Sequence, residues 1–234
     1  MTTIEPNQIL VHCDAAGHTY GTGAAAVVAV HAVTCTVLRS DRIAVTGPSG
    51  SGKSTLLYLL GGLERATSGT VQWPAFGSSP AGNPTAAAMV FQGPSLIPAL
   101  DVVENVAFPL ILAGAQTETA HEVAMRALDT IGIGWMRHKL PDELSGGQAQ
   151  RVAIARVLAT EPDLILADEP TGQLDHQTGA QVIDALVDTA DRIGAALVVS
   201  THDPAVAHRL RTEWRLADGV ITEPVAATVA GVRR

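Results

Sequence analysis

Apolar residues fall along this chain in two textures. Up to residue 46 they come as short β-branched runs, VVAV at 27–30, TVL at 36–38 and RIAV at 42–45, which predict strands of one early sheet with tight connections. From Lys53 onward, helix-length segments alternate with compact apolar runs. LILA at 164–167 and ALVVS at 196–200 lack polar alternation, as do strands buried on both faces of a parallel α/β sheet, and they are expected at its centre. Between about residues 101 and 140 the period turns helical: Val123, Ala127, Leu128 and Ile131 share one face, and Thr119 with Glu122 fits a capping box. PAFGSSPAGNPT, residues 74–85, reads as a surface loop. The pattern predicts an α/β core over about residues 1–92 and 142–222, a helical subdomain inserted at about 93–141, and a loosely held tail at 223–234.

Composition narrows what such a chain can do. With 234 residues, 47% of them hydrophobic, it can bury a substantial core. Fifteen Lys and Arg against 23 Asp and Glu leave a formal charge of −8, which argues against broad binding to a nucleic-acid backbone. Cys13 and Cys35 are too few for a disulfide framework and form no CxxC pair, which fits a reducing compartment and small buried side chains. MTTIEPNQ has no basic region followed by an apolar run, and residues 24–38 are interrupted by His31, Thr34 and Thr36, well short of the roughly 20 residues that cross a bilayer. The chain is therefore expected in the cytoplasm, without a membrane span.

The first chemistry lies at GPSGSGKST, residues 47–55, where Gly47, Gly52, Lys53 and Ser54 satisfy GxxxxGK[ST] between the strand-like RIAV and the helical STLLYLLGGL. That order suits a phosphate. Glycines let backbone N–H groups converge on its oxygens, the helix start adds positive potential, Lys53 bridges the outer phosphates and Ser54 can hold Mg²⁺. LILADEP places Asp168 and Glu169 at the end of a buried strand, either as two solvated acids at an ordinary strand exit or as a metal ligand and a water-orienting base. His202, after ALVVS, would stand at the carboxyl end of a neighbouring strand, where open α/β sheets place ligands. The other seven histidines, His12 and His18 near Cys13 among them, are read as structural or solvated. Gln92 offers an amide oxygen to Mg²⁺ or water, or is a plain surface residue; Tyr20 offers a face to an adenine, or fills a core position.

LSGGQAQR, residues 144–151, is a second helix start suited to an anion. Ser145 reads as its N-cap with Gln148 at the third helical position, and Gly146 and Gly147 permit close backbone approach. A chain that already has one phosphate cradle needs a reason for another.

Taken in order, these residues resemble the nucleotide-binding subunit of ATP-binding-cassette (ABC) transporters over about residues 20–219. GPSGSGKST is similar to the Walker A loop, Gln92 to the Q-loop glutamine, LSGGQ to the family signature, LILADEP to Walker B, GQLD at 172–175 to the D-loop and His202 to the switch histidine. The resemblance implies a P-loop NTPase core of ABC ATPase type with an antiparallel β subdomain and an inserted helical subdomain. It implies ATP contact by Tyr20, Gly47, Pro48, Ser49, Gly50, Ser51, Gly52, Lys53, Ser54 and Thr55, and Mg²⁺ held by Ser54, Gln92 and Asp168. Glu169, His202, Lys53 and Gln92 become the catalytic set. It also answers the question of the second helix start: two such subunits dimerise head to tail, and Ser145, Gly146, Gly147, Gln148 and Asp175 meet the ATP held by the partner's Walker A loop.

Within that family, SLIPALDVVENVAFPL (95–110) and LLGGLERATSG (59–69) look most like the group serving lipoprotein release and macrolide-type export. The implied assembly is a homodimer on a separate membrane-spanning permease at the inner face of the cell membrane, with no nucleic acid. An importer ATPase, or a regulatory ABC protein that transmits conformational change without moving a solute, are the alternatives. PAFGSSPAGNPTAAA is shorter and less charged than in relatives, Gly93 and Pro94 follow Gln92, and Ala149 replaces a usual polar side chain, while the catalytic set is intact.

Overall fold

The computed structural model of the chain describes residues 6–226. In chain order the strands are β1 (Ile9–Tyr20), β2 (Val27–Leu38), β3 (Arg42–Thr46), β4 (Ser68–Gln72), β5 (Ala87–Val90), β6 (Leu164–Asp168), β7 (Ala196–Thr201), β8 (Thr212–Ala217) and β9 (Val220–Ala226). The α-helices are α1 (Lys53–Leu60), α2 (Val102–Leu112), α3 (Thr117–Thr130), α4 (Gly146–Thr160), α5 (His176–Ile193) and α6 (Pro204–Ala207). They form two compact units, one running up to Ala81 and resuming at Ala196, the other spanning Gly82–Ala195.

The first unit carries an antiparallel sheet of order β2-β1-β4. Its β2 unites the VVAV and TVL runs, which the sequence had suggested as separate strands. RIAV does not join them: β3 pairs in parallel with β7 on one side and β8 on the other, and β9 returns antiparallel to β8. The reason is burial. Arg42, Ile43, Ala44 and Val45 are all buried, as a strand with neighbours on both edges and cover on both faces requires, whereas β2 buries only Val30, Val33 and Val37. Cys13 and Cys35 face each other across β1 and β2 as thiols, and contact with Cys13 pushes the Cys35 thiol up, away from the reactive thiolate.

The second unit pairs β5 with β6 in parallel and packs α2, α3 and α4 against one another. Nearly every residue of α4 from Ala149 to Thr160 is buried, as expected of a helix surrounded by others. The capping box expected at Thr119 and Glu122 does not form. Helix α3 begins three residues earlier, at Thr117 with Gln116 in the cap position, and its inward face is Ala120, Ala124, Ala127 and Leu128. A capping box forms instead on α2, between Asp101 and Glu104, where the Glu104 N–H donates to Asp101 Oδ1 at 2.9 Å. LILA and ALVVS form β6 and β7, buried at every residue. Of the expected tail, residues 223–226 continue β9 and residues 227–234 lie outside the described ones.

Asn105, fully buried on α2, fixes the chain before that helix. Its Nδ2 donates to the carbonyls of Ile97, Leu100 and Asp101 at 3.1, 2.8 and 3.0 Å, and its Oδ1 accepts from Ile97 N at 2.8 Å. Removing such a side chain strands buried backbone groups. Asn105→Ala should therefore lower unfolding free energy by more than about 2 kcal/mol, read as a fall in the denaturant midpoint at unchanged slope.

Candidate functional site

In the first unit, β3 and β7 run side by side with Thr46 opposite Thr201, so the loop opening at Gly47 and the residue His202 leave the carboxyl ends of paired parallel strands. Gly47, Gly50 and Gly52 have φ of 152°, 78° and 100°, which disfavours side chains. A Cβ at Gly47 would strike the Leu216 carbonyl, and one at Gly52 the carbonyl of Ala29. The loop is thus a cradle that only glycine allows. Pro48, Ser49 and Gly50 form its outer part, all three exposed.

Helix α1 starts from Gly52 without a side-chain cap, so its first N–H groups are not claimed by an N-cap side chain. Lys53, 8% exposed, donates from Nζ to the Gly47 carbonyl at 2.9 Å and to the Pro48 carbonyl at 3.1 Å. Ser51 Oγ is buried and has no hydrogen-bond partner among the described residues. An unmatched buried hydroxyl and an ammonium turned onto loop carbonyls both suit a ligand rich in anionic oxygen. Ser54 is half-buried and Thr55 buried; Tyr20, 40% exposed at the end of β1, brings its hydroxyl to 3.4 Å from Thr55 Oγ1 and sets its ring edge-on to His18. His202 is exposed beside Asp203, whose N–H donates to Thr201 Oγ1 at 3.0 Å.

In the second unit, Val90 of β5 lies opposite Ala167 of β6, so Gln92 and the pair Asp168–Glu169 follow the carboxyl ends of adjacent parallel strands. Asp168 is 1% exposed, and Glu169 has φ of 47°, a conformation that costs a non-glycine residue about 1–2 kcal/mol. Side-chain oxygens from Ser54, Gln92 and Asp168 are hard donors of the kind Mg²⁺ prefers. Among the described residues no group of three or more His, Cys, Asp or Glu could by itself hold a metal. His12 Nδ1 is engaged with Thr36 and His18 Nδ1 with the Arg65 carbonyl, in agreement with a structural role.

The same unit holds LSGGQ. Ser145 caps α4 through a capping box: Gln148 N donates to Ser145 Oγ at 3.3 Å and Ser145 N to Gln148 Oε1 at 3.0 Å. The box leaves the N–H groups of Gly146 and Gly147 unengaged by it. Both glycines are close to their own chain, since a Cβ on Gly146 would meet Gln173 Oε1 at 2.9 Å and one on Gly147 would meet Leu174 at 3.2 Å. Asp175 caps α5, accepting from Thr178 N at 3.0 Å and from Thr178 Oγ1 at 2.7 Å.

Three side chains outside the expected set hold the glutamine-bearing segment. Gln150 donates to the Phe91 carbonyl, Arg156 grips Ser95, and Asn105 secures Ile97 to Asp101. The signal for Gln150 was present in the sequence. It heads the stripe Ala153, Ile154, Val157 and Leu158 on α4, a polar residue at a core position.

Residues 30–172 match the family described as ABC transporter. The chain is 39% identical over 220 residues to the lipoprotein-releasing system ATP-binding protein LolD of Legionella pneumophila (strain Paris), covering 91% of this chain and 97% of that one. Its identity to the same-named protein of Alcanivorax borkumensis is 40% over 197 residues, 81% and 86% of the two chains. Among solved structures, the dimeric ATP-binding cassette MJ0796, in a post-hydrolysis state bound to ADP and Pi, superposes with a TM-score of 0.86 at 33% identity over 93% of this chain and 98% of that one. The chain belongs to the ABC transporter family and is one of its ATP-hydrolysing cassettes, for which ATP with Mg²⁺ is the ligand.

Asp175 gives a pH test. The N–H and hydroxyl of Thr178 hold its carboxyl below the usual carboxylate range. A folded-state value below the unfolded one means that the stabilisation is complete above about pH 3.9 and is lost as pH falls through the folded value. Asp175→Asn should therefore show a shallower loss of denaturant midpoint than the wild type on acidification from about pH 4 to pH 2. Parallel curves would show that the carboxylate is not linked to folding.

Proposed function

We propose that this chain is the ATPase subunit of a lipoprotein-release-type exporter, a single cassette of α/β core and helical subdomain acting on a separate membrane-spanning subunit. Two copies pair head to tail, each closing its Ser145 turn over the ATP in the other's glycine cradle. The observation that carries this is the exposed start of α4: its capping box uses the N–H groups of Ser145 and Gln148 and leaves those of two glycines for an anion. The relatives named for lipoprotein release and the dimeric state of the MJ0796 cassette support it. Among the described residues no helix is long and apolar enough to cross a membrane, so transport requires a partner that does.

The chemistry follows from the residues. Lys53 turns from the carbonyls of Gly47 and Pro48 to the outer phosphates, while the backbone of residues 47–52 and Ser51 Oγ surround their oxygens. Tyr20 stacks on the adenine, and Thr55 lies beside the phosphates at the foot of α1. Ser54, Gln92 and Asp168 hold Mg²⁺, which when bound neutralises charge on the phosphate oxygens. Glu169 orients the attacking water and takes its proton as the new bond to the γ-phosphorus forms and the bond to the ADP oxygen breaks. His202, at the end of β7, holds the terminal phosphoryl group. Asp175 and Gln148 complete the partner-facing edge.

Mixing tests the composite site. Ser145→Arg and Lys53→Ala subunits, each inactive alone, should recover activity when combined, because one of the two sites then contains an intact cradle and an intact turn. Inactivity at every ratio, with both variants folded, would count against the pairing. Glu169→Gln should keep ATP affinity, lose about 10²–10⁴-fold in turnover, and accumulate an ATP-bound dimer by light scattering.

A further inference from the structure

Gln150 is 1% exposed on α4, among the buried apolar residues Ala149, Val152, Ala153 and Ile154 of the same helix. Burial of a primary amide is unfavourable unless its hydrogen bonds are replaced. Its Nε2 donates to the Phe91 carbonyl at 3.1 Å, and its Oε1 has no hydrogen-bond partner among the described residues. A packing role alone would be met by Leu or Met at this position without that loss. The bond therefore has to be explained by what it holds.

It holds the residue immediately before Gln92. Six positions further along α4, about 9 Å along the axis, Arg156 donates to the Ser95 carbonyl at 3.1 Å and to Ser95 Oγ at 3.3 Å. Ser95 is kept there at φ of 37°. One helix thus fixes the backbone on both sides of Gln92, and Asn105 continues the restraint from Ile97 to Asp101. Gln92 itself is exposed. Its reach depends on its backbone, and the nearest side-chain anchor is Gln150.

The same helix opens at Ser145, five residues before Gln150. A helix buried on all sides shifts as a body rather than by side-chain rearrangement. We propose that Gln150 is a positioning residue for ATP hydrolysis: its amide ties Phe91 to the signature helix, so that the placement of Gln92 follows the start of α4. This rests on the role given above to Gln92 in holding Mg²⁺.

The test uses the full chain with Gln150→Met, which keeps volume and removes the donor, alongside Gln92→Ala and the double variant. Steady-state ATPase is measured across a Mg²⁺ titration, together with thermal midpoints. Gln150→Met should lower kcat by about five- to tenfold, the scale of one hydrogen bond, and raise the Mg²⁺ concentration for half-maximal rate. KM for ATP should stay unchanged, because the cradle of residues 47–55 is not touched. In the Gln92→Ala background the second substitution should add nothing. Wild-type kcat and Mg²⁺ response in Gln150→Met, or a full multiplicative effect in the double variant, would overturn the inference while leaving Gln92's role standing. Gln92→Ala with wild-type turnover would instead remove that role and the inference with it. If Gln150→Met does not fold, Gln150→Glu, of the same shape without the N–H, is read by the same outcomes.

Discussion

The ammonium of Lys53, bonded to the carbonyls of Gly47 and Pro48, sits in a loop whose backbone cannot carry side chains at Gly47 or Gly52. That loop stays open because α1 starts from a glycine with no side chain to cap it. The strands around it serve this exposure. β3 is buried along nearly its whole length, pinned between β7 and β8, so that its end delivers the loop at a fixed point. Thr46, the last residue of β3, donates to Glu213 at 2.7 Å and holds that carboxyl below its usual range, which ties the end of the strand to β8.

The two helix starts divide the work differently. At α1 the N-terminus has no side-chain cap, whereas at α4 a capping box satisfies two donors and leaves a smaller positive end. In the proposed head-to-tail pairing, partial capping at α4 suits a contact that forms and releases with each turnover. The close approach of Gln173 and Leu174 to Gly146 and Gly147 links that contact to the turn that follows Glu169.

The phosphate cradle, the acid pair and the capped serine were legible because each needs particular residue types at fixed spacing. The strands β6 and β7 were legible from their unbroken apolar runs. Strand β2 was not, for a physical reason: its buried residues Val30, Val33 and Val37 are three and four apart, as on a helix, because register shifts with Ala32 at φ of 49° break the strict alternation. The start of α3 was misplaced because Thr119 with Glu122 matches the capping pattern, whereas the helix starts without a side-chain cap: Gln116 precedes it and makes no side-chain bond. Gln150 escaped notice although its place on the core stripe of α4 was readable, because the partner that explains a polar residue there lies 59 positions away in sequence.

The irregular register of β1 and β2 also decides where the chain can change length. Side chains of a strand alternate between faces, so adding one residue between the bulges and Tyr20 would carry the aromatic ring to the opposite side of the sheet. The stretch from residue 74 to residue 85 has no such ladder to keep in step. Insertions and deletions during divergence should therefore accumulate in that connection, while the hairpin bearing the aromatic ring keeps its residue count.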